Sequence, residues 1–203
     1  MTEMNKFVFE TILSRRSVRN FIDGKPVEKW KMIKLLEAAM AAPSACNTQP
    51  WEFIVVTEAS KMDQLRDALG GQNRFNAPMA IITCANPACI PWEGDGWMID
   101  CGAAVENMLI AAAAMGLASV WIGWRDEDML RKSFEIPSHI NYLGTVYFGY
   151  ADYAPSPGTR YAEDAVFWEK YDPDRTRPVK KVVDYGSIKL NDLSVASPTP
   201  WEE

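Results

Sequence analysis

The chain has 203 residues, of which 48% are hydrophobic and 24% charged, a composition typical of one globular domain with a sizeable core. Its formal net charge of −6 argues against binding to nucleic acid or to an anionic membrane surface. The four cysteines have no C-x-x-C spacing and no histidine set beside them, so neither a zinc site nor a disulfide scaffold is expected, and reduced cytosolic thiols fit better.

Hydrophobic periodicity and turn residues define the elements of the first half of the chain. Apolar residues at i, i+3, i+4 and i+7 make residues 28–42 an amphipathic helix that ends at Pro43. The other predicted elements are a short helix at 7–14, a strand at 51–57 and a helix at 60–69.

The second half predicts strands at 79–85, 118–122 and 143–150, and helices at 97–115 and 127–134. Helix 97–115 is apolar on nearly every face, which favours a helix buried on all sides, at the centre of the molecule or at a dimer interface. This mixture predicts an α+β sandwich in which helices surround one sheet. The last fifty residues, with a strand-like stretch at 180–185, lack a core of their own, so this arm is expected to wrap a partner subunit.

The sequence shows no sign of membrane targeting. Residues 1–10 lack the basic and apolar pattern of a signal peptide. The most apolar stretch, 108–122, is shorter than the roughly 20 residues that a bilayer span needs. We therefore expect a soluble, cytoplasmic protein that has no membrane partner.

Three arginines lie within five positions of the segment S-R-R-S-V-R-N-F, residues 14–21. The guanidinium groups of Arg15, Arg16 and Arg19 suit phosphate oxygens, and Ser17 adds a neutral donor. Taken alone, the run is more typical of a solvated basic helix end that interacts favourably with the helix dipole.

A second basic pair, Arg175 and Arg177, stands directly before Pro178. Alone it is an ordinary surface pair. In an acidic chain, however, two isolated basic clusters suggest that both converge on one anion, which the sequence by itself does not establish.

The loop A-P-S-A-C-N-T-Q-P-W, residues 42–51, is rich in small side chains, hydroxyls and amides. Small residues permit a flat heteroaromatic ring to approach closely, while Asn47 and Gln49 offer donors and acceptors. The same composition is ordinary for a loop, so both interpretations stay open. In S-V-W-I-G-W, residues 119–124, Gly123 either lets the backbone approach a ligand or simply ends a strand.

In this order and spacing, the motifs resemble the flavin-dependent nitroreductase family. The pattern is S-R-R-S-V-R-x-F, then A-P-S-A-x-N-x-Q-P-W, an A-P pair at 77–78, G-L-A-S-V-W-I-G and R-x-R-P. The resemblance covers about residues 9–182, and the first two motifs are the specific ones in combination. It implies one FMN-binding domain over 1–182, followed by a C-terminal arm or tail at 183–203.

The resemblance also implies a fold and an activity. The fold would be an α+β sandwich with a mainly antiparallel central sheet, in a homodimer that exchanges C-terminal arms and holds FMN at the subunit interface. The activity would be electron transfer from NADH or NADPH through FMN to an electron-poor acceptor, such as a nitroaromatic or a quinone, in ping-pong order. A flavin-binding storage or sensing protein with little turnover is the alternative, and the acidic balance disfavours a nucleic-acid-binding module.

The cofactor contacts implied by the resemblance are spread along the chain. Those for the phosphate and ribityl chain are Arg15, Arg16, Ser17, Arg175 and Arg177. Those for the ring are Arg19 at the pyrimidine edge, the backbone of Ile122 and Gly123 and, by a looser match, Asn73. The other subunit's face of the same pocket would come from Pro43, Ser44, Ala45, Asn47 and Gln49.

Residues 86–97, rich in Pro, Gly and Trp, are expected to form a lid that sets the choice of acceptor. Trp92 and Trp97 either stack on an aromatic substrate or only anchor the loop. The flavin would carry the chemistry, so no catalytic side chain is expected. The single histidine, His139, is interpreted as structural or solvent-facing.

Overall fold

The computed structural model describes residues 3–70, 73–92, 94–123, 125–153 and 165–175. The chain forms two compact units, residues 1–155 and residues 156–203. The second unit is described only at 165–175, where the rings of Phe167 and Tyr171 pack with centroids 4.4 Å apart. The expected domain at 1–182 and tail at 183–203 stay predictions, and the strand-like stretch 180–185 lies outside the described residues.

The described part of the first unit contains five α-helices and four strands. They are α1 Glu3–Ser14, α2 Lys29–Met40, β1 Trp51–Val56, α3 Ala59–Leu69, β2 Met79–Ala85, α4 Gly96–Ala114, β3 Ala118–Ile122, α5 Glu127–Phe134 and β4 Asn141–Gly149. The predicted elements of this unit are confirmed; β2, β3 and α5 have the predicted bounds, and the other ends differ by no more than four residues.

One antiparallel sheet with strand order β1-β2-β4-β3 forms the centre of this unit. Successive side chains of a strand point to opposite faces, and both faces of β2 are buried. Ala80 and Ile82 belong to a core cluster with residues of α3 and α5, while Met79 and Ile81 belong to a second cluster with α2 and α4. The predicted α+β sandwich with a central antiparallel sheet is therefore confirmed.

Helix α4 differs from its prediction. Its buried residues, including Ala104 and Met108, face the core shared with α2 and the sheet. The other side exposes Met98 and Ile99, the latter 77% exposed. In the single chain α4 is not buried on all sides, because only one face meets the sheet and α2, and burial of its other side at a dimer interface stays a prediction. By length and composition α4 is the one helix of the described residues that could cross a membrane, a weak indication for a helix whose buried face lies in the core.

Candidate functional site

The arginine segment that follows α1 is paired to the sheet through its backbone. The Val18 N–H donates to the Ser119 carbonyl oxygen (2.9 Å), and Ser17 and Ser119 form a parallel bridge. Further along, the Ile22 N–H donates to the Tyr150 carbonyl oxygen (2.7 Å). These contacts fix residues 17–22 beside β3 and the end of β4.

Phe21, the aromatic residue of the same motif, is buried and held from two sides. Its N–H donates to Asn76 Oδ1 (2.9 Å) and its carbonyl oxygen accepts from Asn76 Nδ2 (2.7 Å). A Cβ on Gly149 would lie 2.8 Å from the Phe21 ring and 2.7 Å from Pro78, so only glycine fits there without a shift. The sequence motifs around Phe21 and Pro78 therefore meet in space. Asn76 and Gly149 were missed because neither carries a local pattern of its own.

A cleft of about 260 Å³ opens where α1 ends. Its polar lining comes from Ser14, Arg15, Arg16, Ser119 and Tyr153. Two guanidinium groups with several hydroxyls are the donor set that a phosphate group requires. The Tyr153 hydroxyl is buried, and no described residue is its hydrogen-bond partner. This lining fits the phosphate end of FMN.

Contacts within the chain orient the two arginines of this cleft. Arg15 Nε lies 3.5 Å from Glu106 Oε1, a residue of α4. Arg16 Nη1 donates to the carbonyl oxygens of Leu13 (2.7 Å) and Arg15 (2.5 Å) at the end of α1. The backbone carbonyls at this helix end thus hold Arg16, whereas Arg15 lies beside a half-exposed carboxylate, an ion pair of the weak surface kind.

The other cofactor contacts predicted in the two basic clusters are Ser17, Arg19, Arg175 and Arg177. Ser17 is exposed and Arg19 donates to its carbonyl oxygen at 3.4 Å, but neither lines the cleft. In the second unit, the Arg175 guanidinium lies 3.8 Å from the Phe167 ring centroid and donates to the Val166 carbonyl oxygen (2.5 Å). Arg177 lies outside the described residues. Convergence of the two basic clusters stays a prediction.

The loop between α2 and β1 has an unusual backbone. Cys46, Asn47 and Gln49 adopt left-handed conformations with φ of 51°, 59° and 47°. A residue with a Cβ costs about 1–2 kcal/mol in this region, least for Asn. Such strain persists only where the surroundings impose it, and it concentrates at functional sites.

Hydrogen bonds keep this loop in shape. The Gln49 N–H donates to Ser44 Oγ (3.0 Å), and Gln49 Nε2 donates to Asn47 Oδ1 (2.8 Å). The Ala45 N–H donates to Asp100 Oδ1 (3.1 Å) on α4, where Asp100 is only 6% exposed. Sequence reasoning missed Asp100, although a carboxylate near the start of an otherwise apolar helix is a signal that could have found it.

Pro43 and Ala45 are exposed, as are Asn47 and Gln49, and Ser44 is half-buried. All five predicted ring contacts of this loop thus lie at or near the surface. None of them lines the cleft at the end of α1. A ring site formed by this loop would therefore open on a different part of the surface of the same subunit.

The end of β3 offers room for a ligand. Ile122 is buried and its carbonyl oxygen is 3.4 Å from the Tyr142 hydroxyl, which also lies 3.0 Å from Thr145 Oγ1. Burial raises the pKa of Tyr142 to about 12, so this hydroxyl keeps its proton. Gly123 is exposed, and a Cβ there would meet no described heavy atom within 4 Å. Asn73, after α3, is half-buried, and its side chain makes a long 3.4 Å contact with the Leu69 carbonyl oxygen.

The predicted lid contains two different tryptophans. Trp97 is 8% exposed and belongs to the core with α2 and the sheet, as the anchoring interpretation expects. Trp92 is 40% exposed, and its role over a substrate stays a prediction. Cys89 in the same segment is exposed.

Other ionisable groups fall outside these sites. His139 is exposed, as its interpretation allowed. Burial raises the pKa of the Cys84 thiol to about 11 and that of the Cys101 thiol to about 12, which makes both poor nucleophiles. Within the ranges that the structure describes, no three His, Cys, Asp or Glu residues could hold a metal ion.

Comparisons with known proteins agree with one another. A family model described as the nitroreductase family matches residues 12–87 and 94–150. A curated relative from Archaeoglobus fulgidus, with the provisional name NADH dehydrogenase/NAD(P)H nitroreductase, is 42% identical over 144 residues, 68% of this chain and 82% of the relative.

Solved structures give the same picture. A Parabacteroides distasonis protein with that provisional name has a TM-score of 0.74 and 35% identity, covering 81% of this chain and 98% of its own. An FMN-dependent nitroreductase from Clostridium difficile has a TM-score of 0.70 and 28% identity, covering 80% and 99%. The family model leaves out residues 88–93, which lie within the predicted lid.

Proposed function

Since this chain belongs to the nitroreductase family, we propose that it is an FMN-dependent oxidoreductase that moves electrons from NADH or NADPH to an electron-poor acceptor. The observation that carries the proposal is the cleft at the end of α1, which gathers Ser14, Arg15 and Arg16 around a space suited to a phosphate group. The similarity to a solved FMN-dependent nitroreductase supports the choice of cofactor.

In this proposal the chain binds and orients the cofactor. Arg15 and Arg16 hold the phosphate, and the family resemblance also assigns Ser17, Arg175 and Arg177 to it. Bound FMN would accept hydride from NADH or NADPH and then deliver electrons to a nitroaromatic, a quinone or a similar acceptor, in ping-pong order. Arg19 places positive charge near the pyrimidine edge, where it stabilises negative charge on the ring.

Two further parts of the chain face the ring in this proposal. The open space at Gly123 lets the backbone approach, because no described heavy atom lies within 4 Å of a Cβ placed there. In the loop, Gln49 uses its amide NH₂ on Asn47 Oδ1, so the pair has a donor group from Asn47 and an acceptor from Gln49 for a polar ring edge. Asn73 adds a contact from the end of α3, and Trp92 belongs to the lid, which Trp97 anchors in the core.

The functional molecule in this proposal is a cytoplasmic homodimer with exchanged arms. Support comes from apolar side chains that the single chain leaves exposed: Phe7, Phe9 and Leu13 on α1, Trp30 and Ile33 on α2, and Met98 and Ile99 on α4. An interface between subunits would remove these side chains of three helices from water. Sedimentation velocity of the full chain tests this part, and a monomer at micromolar concentration would contradict it.

The cofactor is tested by the visible spectrum of the purified protein and by identification of any yellow compound released by heat. We expect FMN at one per subunit, bleached by NADH or NADPH in the absence of oxygen. A flavin that binds but is not bleached would favour the storage or sensing alternative. A colourless protein that also takes up no added FMN would contradict both.

The cleft is tested by Arg15→Ala, which removes a charge-assisted contact with the phosphate. We expect roughly a tenfold to hundredfold loss of FMN affinity, measured by quenching of flavin fluorescence. Lys34→Ala is the matched control, because Lys34 is an exposed cation that pairs with Glu37 on α2, far along the chain from the arginine segment. Equal affinities in the two variants would remove Arg15 from the site.

A further inference from the structure

The hydrogen bond between Ala45 and Asp100 connects the loop 43–49 to another element of the structure. Within the described chain, the other hydrogen bonds of these seven residues are formed inside the loop. The Ala45 N–H alone reaches another element, donating to Asp100 Oδ1 on α4. The strained turn Ala45–Asn47 thus begins at the residue that α4 holds.

Asp100 is well placed to impose a conformation on the loop. The residue is 6% exposed, and its neighbour Cys101 is fully buried with Sγ 3.8 Å from the Cys84 carbonyl oxygen. The acceptor therefore projects from a part of α4 that is fixed in the core. Burying a carboxylate is costly unless it is hydrogen-bonded, and a bond from an N–H to a charged acceptor is stronger than one to a neutral acceptor.

The left-handed residues need such a support. Cys46, Asn47 and Gln49 each adopt a backbone conformation that a free chain rarely visits. The local bonds of Gln49 connect loop residues to one another and would move with the loop if it relaxed. A contact with a rigid helix sets the position of the loop relative to the rest of the subunit.

We propose that Asp100 is a positioning residue that, through the Ala45 N–H, holds loop 43–49 in the conformation that receives the flavin ring. This inference rests on the proposed function, because it assigns the loop to FMN. Asp100 itself touches no cofactor in this role. Its effect is on how much of the unliganded protein has a loop ready to bind, and hence on the apparent affinity for FMN.

The first test examines the loop without flavin. In the apoprotein, hydrogen–deuterium exchange of a peptide spanning 43–50 is compared between wild type, Asp100→Ala and Asp100→Asn. We expect faster exchange in Asp100→Ala and near-wild-type protection in Asp100→Asn, which keeps an oxygen acceptor. Wild-type protection in Asp100→Ala would overturn the proposal. Ala45→Pro removes the donor from the loop side and should raise exchange of the neighbouring amides even if Asp100→Ala fails to fold.

The second test measures binding of FMN by fluorescence quenching. We expect roughly tenfold weaker binding in Asp100→Ala, and binding within about threefold of wild type in Asp100→Asn. Asn107→Ala is the matched control: it removes a bond from the same helix, Asn107 Nδ2 to the Ala38 carbonyl oxygen (3.1 Å), that does not reach the loop.

The outcomes separate the two proposals. Weaker FMN binding in Asp100→Ala together with unchanged binding in Asn107→Ala supports the positioning role. An equal loss in both variants would overturn it, since α4 would then act only through general stability. If wild-type protein binds no FMN, the proposed function fails, while the exchange experiment still reports whether Asp100 holds the loop.

Discussion

The two regions assigned to the flavin are built in opposite ways. Segment 14–22 is joined to the sheet by backbone pairing at Val18 and Ile22 and by burial of Phe21. Loop 43–49 has three left-handed residues and one hydrogen bond to another element of the described chain. The first region is supported by packing, whereas the second is held in a strained form by a single buried acceptor.

Because of this difference, the stability of the fold and the readiness of the loop to bind a ligand should depend on different residues. The arginine segment is packed against the core, so its backbone geometry should persist without a cofactor. It should be lost only when the core itself unfolds. The loop stores conformational strain, so its geometry should respond to small changes that leave the core intact. Substitutions in the two regions should therefore affect different measurements, and four predictions follow that division from the largest expected effect to the smallest.

The largest effect is expected from Phe21→Ala, which would detach the arginine segment from the core. Phe21 is 4% exposed and belongs to the core cluster with α3 and α5. Truncation of a buried phenylalanine costs about 3–5 kcal/mol in the free energy of unfolding, which urea denaturation measures. Phe21→Leu, which keeps a large apolar side chain, should retain most of the free energy of unfolding that Phe21→Ala loses. A loss below about 1 kcal/mol for Phe21→Ala would show that the segment is not part of the core.

Alkaline pH should weaken both regions, because each has a buried thiol in its supporting core. Cys84 shares the cluster of Phe21, and Cys101 is next to Asp100. Their pKa values are raised by burial from 9.0 to about 11 and about 12. A raised pKa in the folded state stabilises the protein below pH 9, and this contribution is lost as pH rises through the folded pKa values.

The expected loss is at most about 1.4 kcal/mol per thiol for each pH unit in that window. Above pH 10 Tyr142 and Tyr147 add to it, because burial raises their pKa values as well. Denaturation midpoints between pH 8 and 10.5 measure it. Cys84→Ala and Cys101→Ala should each reduce the slope with pH, whatever they do to stability at pH 8. A slope unchanged in both variants would assign the pH dependence to other groups.

Packing beside Phe21 gives a third prediction. In Gly149→Ala the new Cβ would approach Phe21 and Pro78 to less than 3 Å, so the free energy of unfolding should fall by about 1–3 kcal/mol. Gly102→Ala on α4 is the matched control. No described heavy atom lies within 4 Å of a Cβ there, and alanine favours a helix, so a gain of up to about 1 kcal/mol is expected. If both substitutions raised the free energy of unfolding, the packing around Phe21 would have adapted to the added methyl group.

The sequence predicted the packed region better than the strained one. The short, largely apolar run of β2, buried on both faces, and the helical periodicity of α2 depend on the local order of residue types, which a single sequence contains. The contacts of Asn76 with Phe21 and of Asp100 with Ala45 each join residues 55 positions apart. No local pattern encodes such pairings. The exposed side of α4 was missed for a related reason: composition shows that the helix is apolar, but not which of its faces has a neighbour within one chain.

The smallest effect should come from glycine substitutions, and its sign distinguishes the two regions. Cys46 has φ of 51°, so Cys46→Gly relieves about 1 kcal/mol of strain, which the greater freedom of glycine in the unfolded chain offsets by roughly 0.5–1 kcal/mol. Asn20 in the arginine segment has no left-handed strain to relieve, and Asn20→Gly should cost about 0.5–1 kcal/mol.

Thermal unfolding should therefore show Cys46→Gly equal to wild type or slightly more stable, and Asn20→Gly less stable. Binding should change in the other direction. A glycine at position 46 permits more conformations of the unliganded loop, so FMN affinity should fall even though the fold is not weakened. Equal destabilisation by both substitutions would mean that the loop stores no strain. The two regions would then differ only in how many contacts each makes with the rest of the subunit.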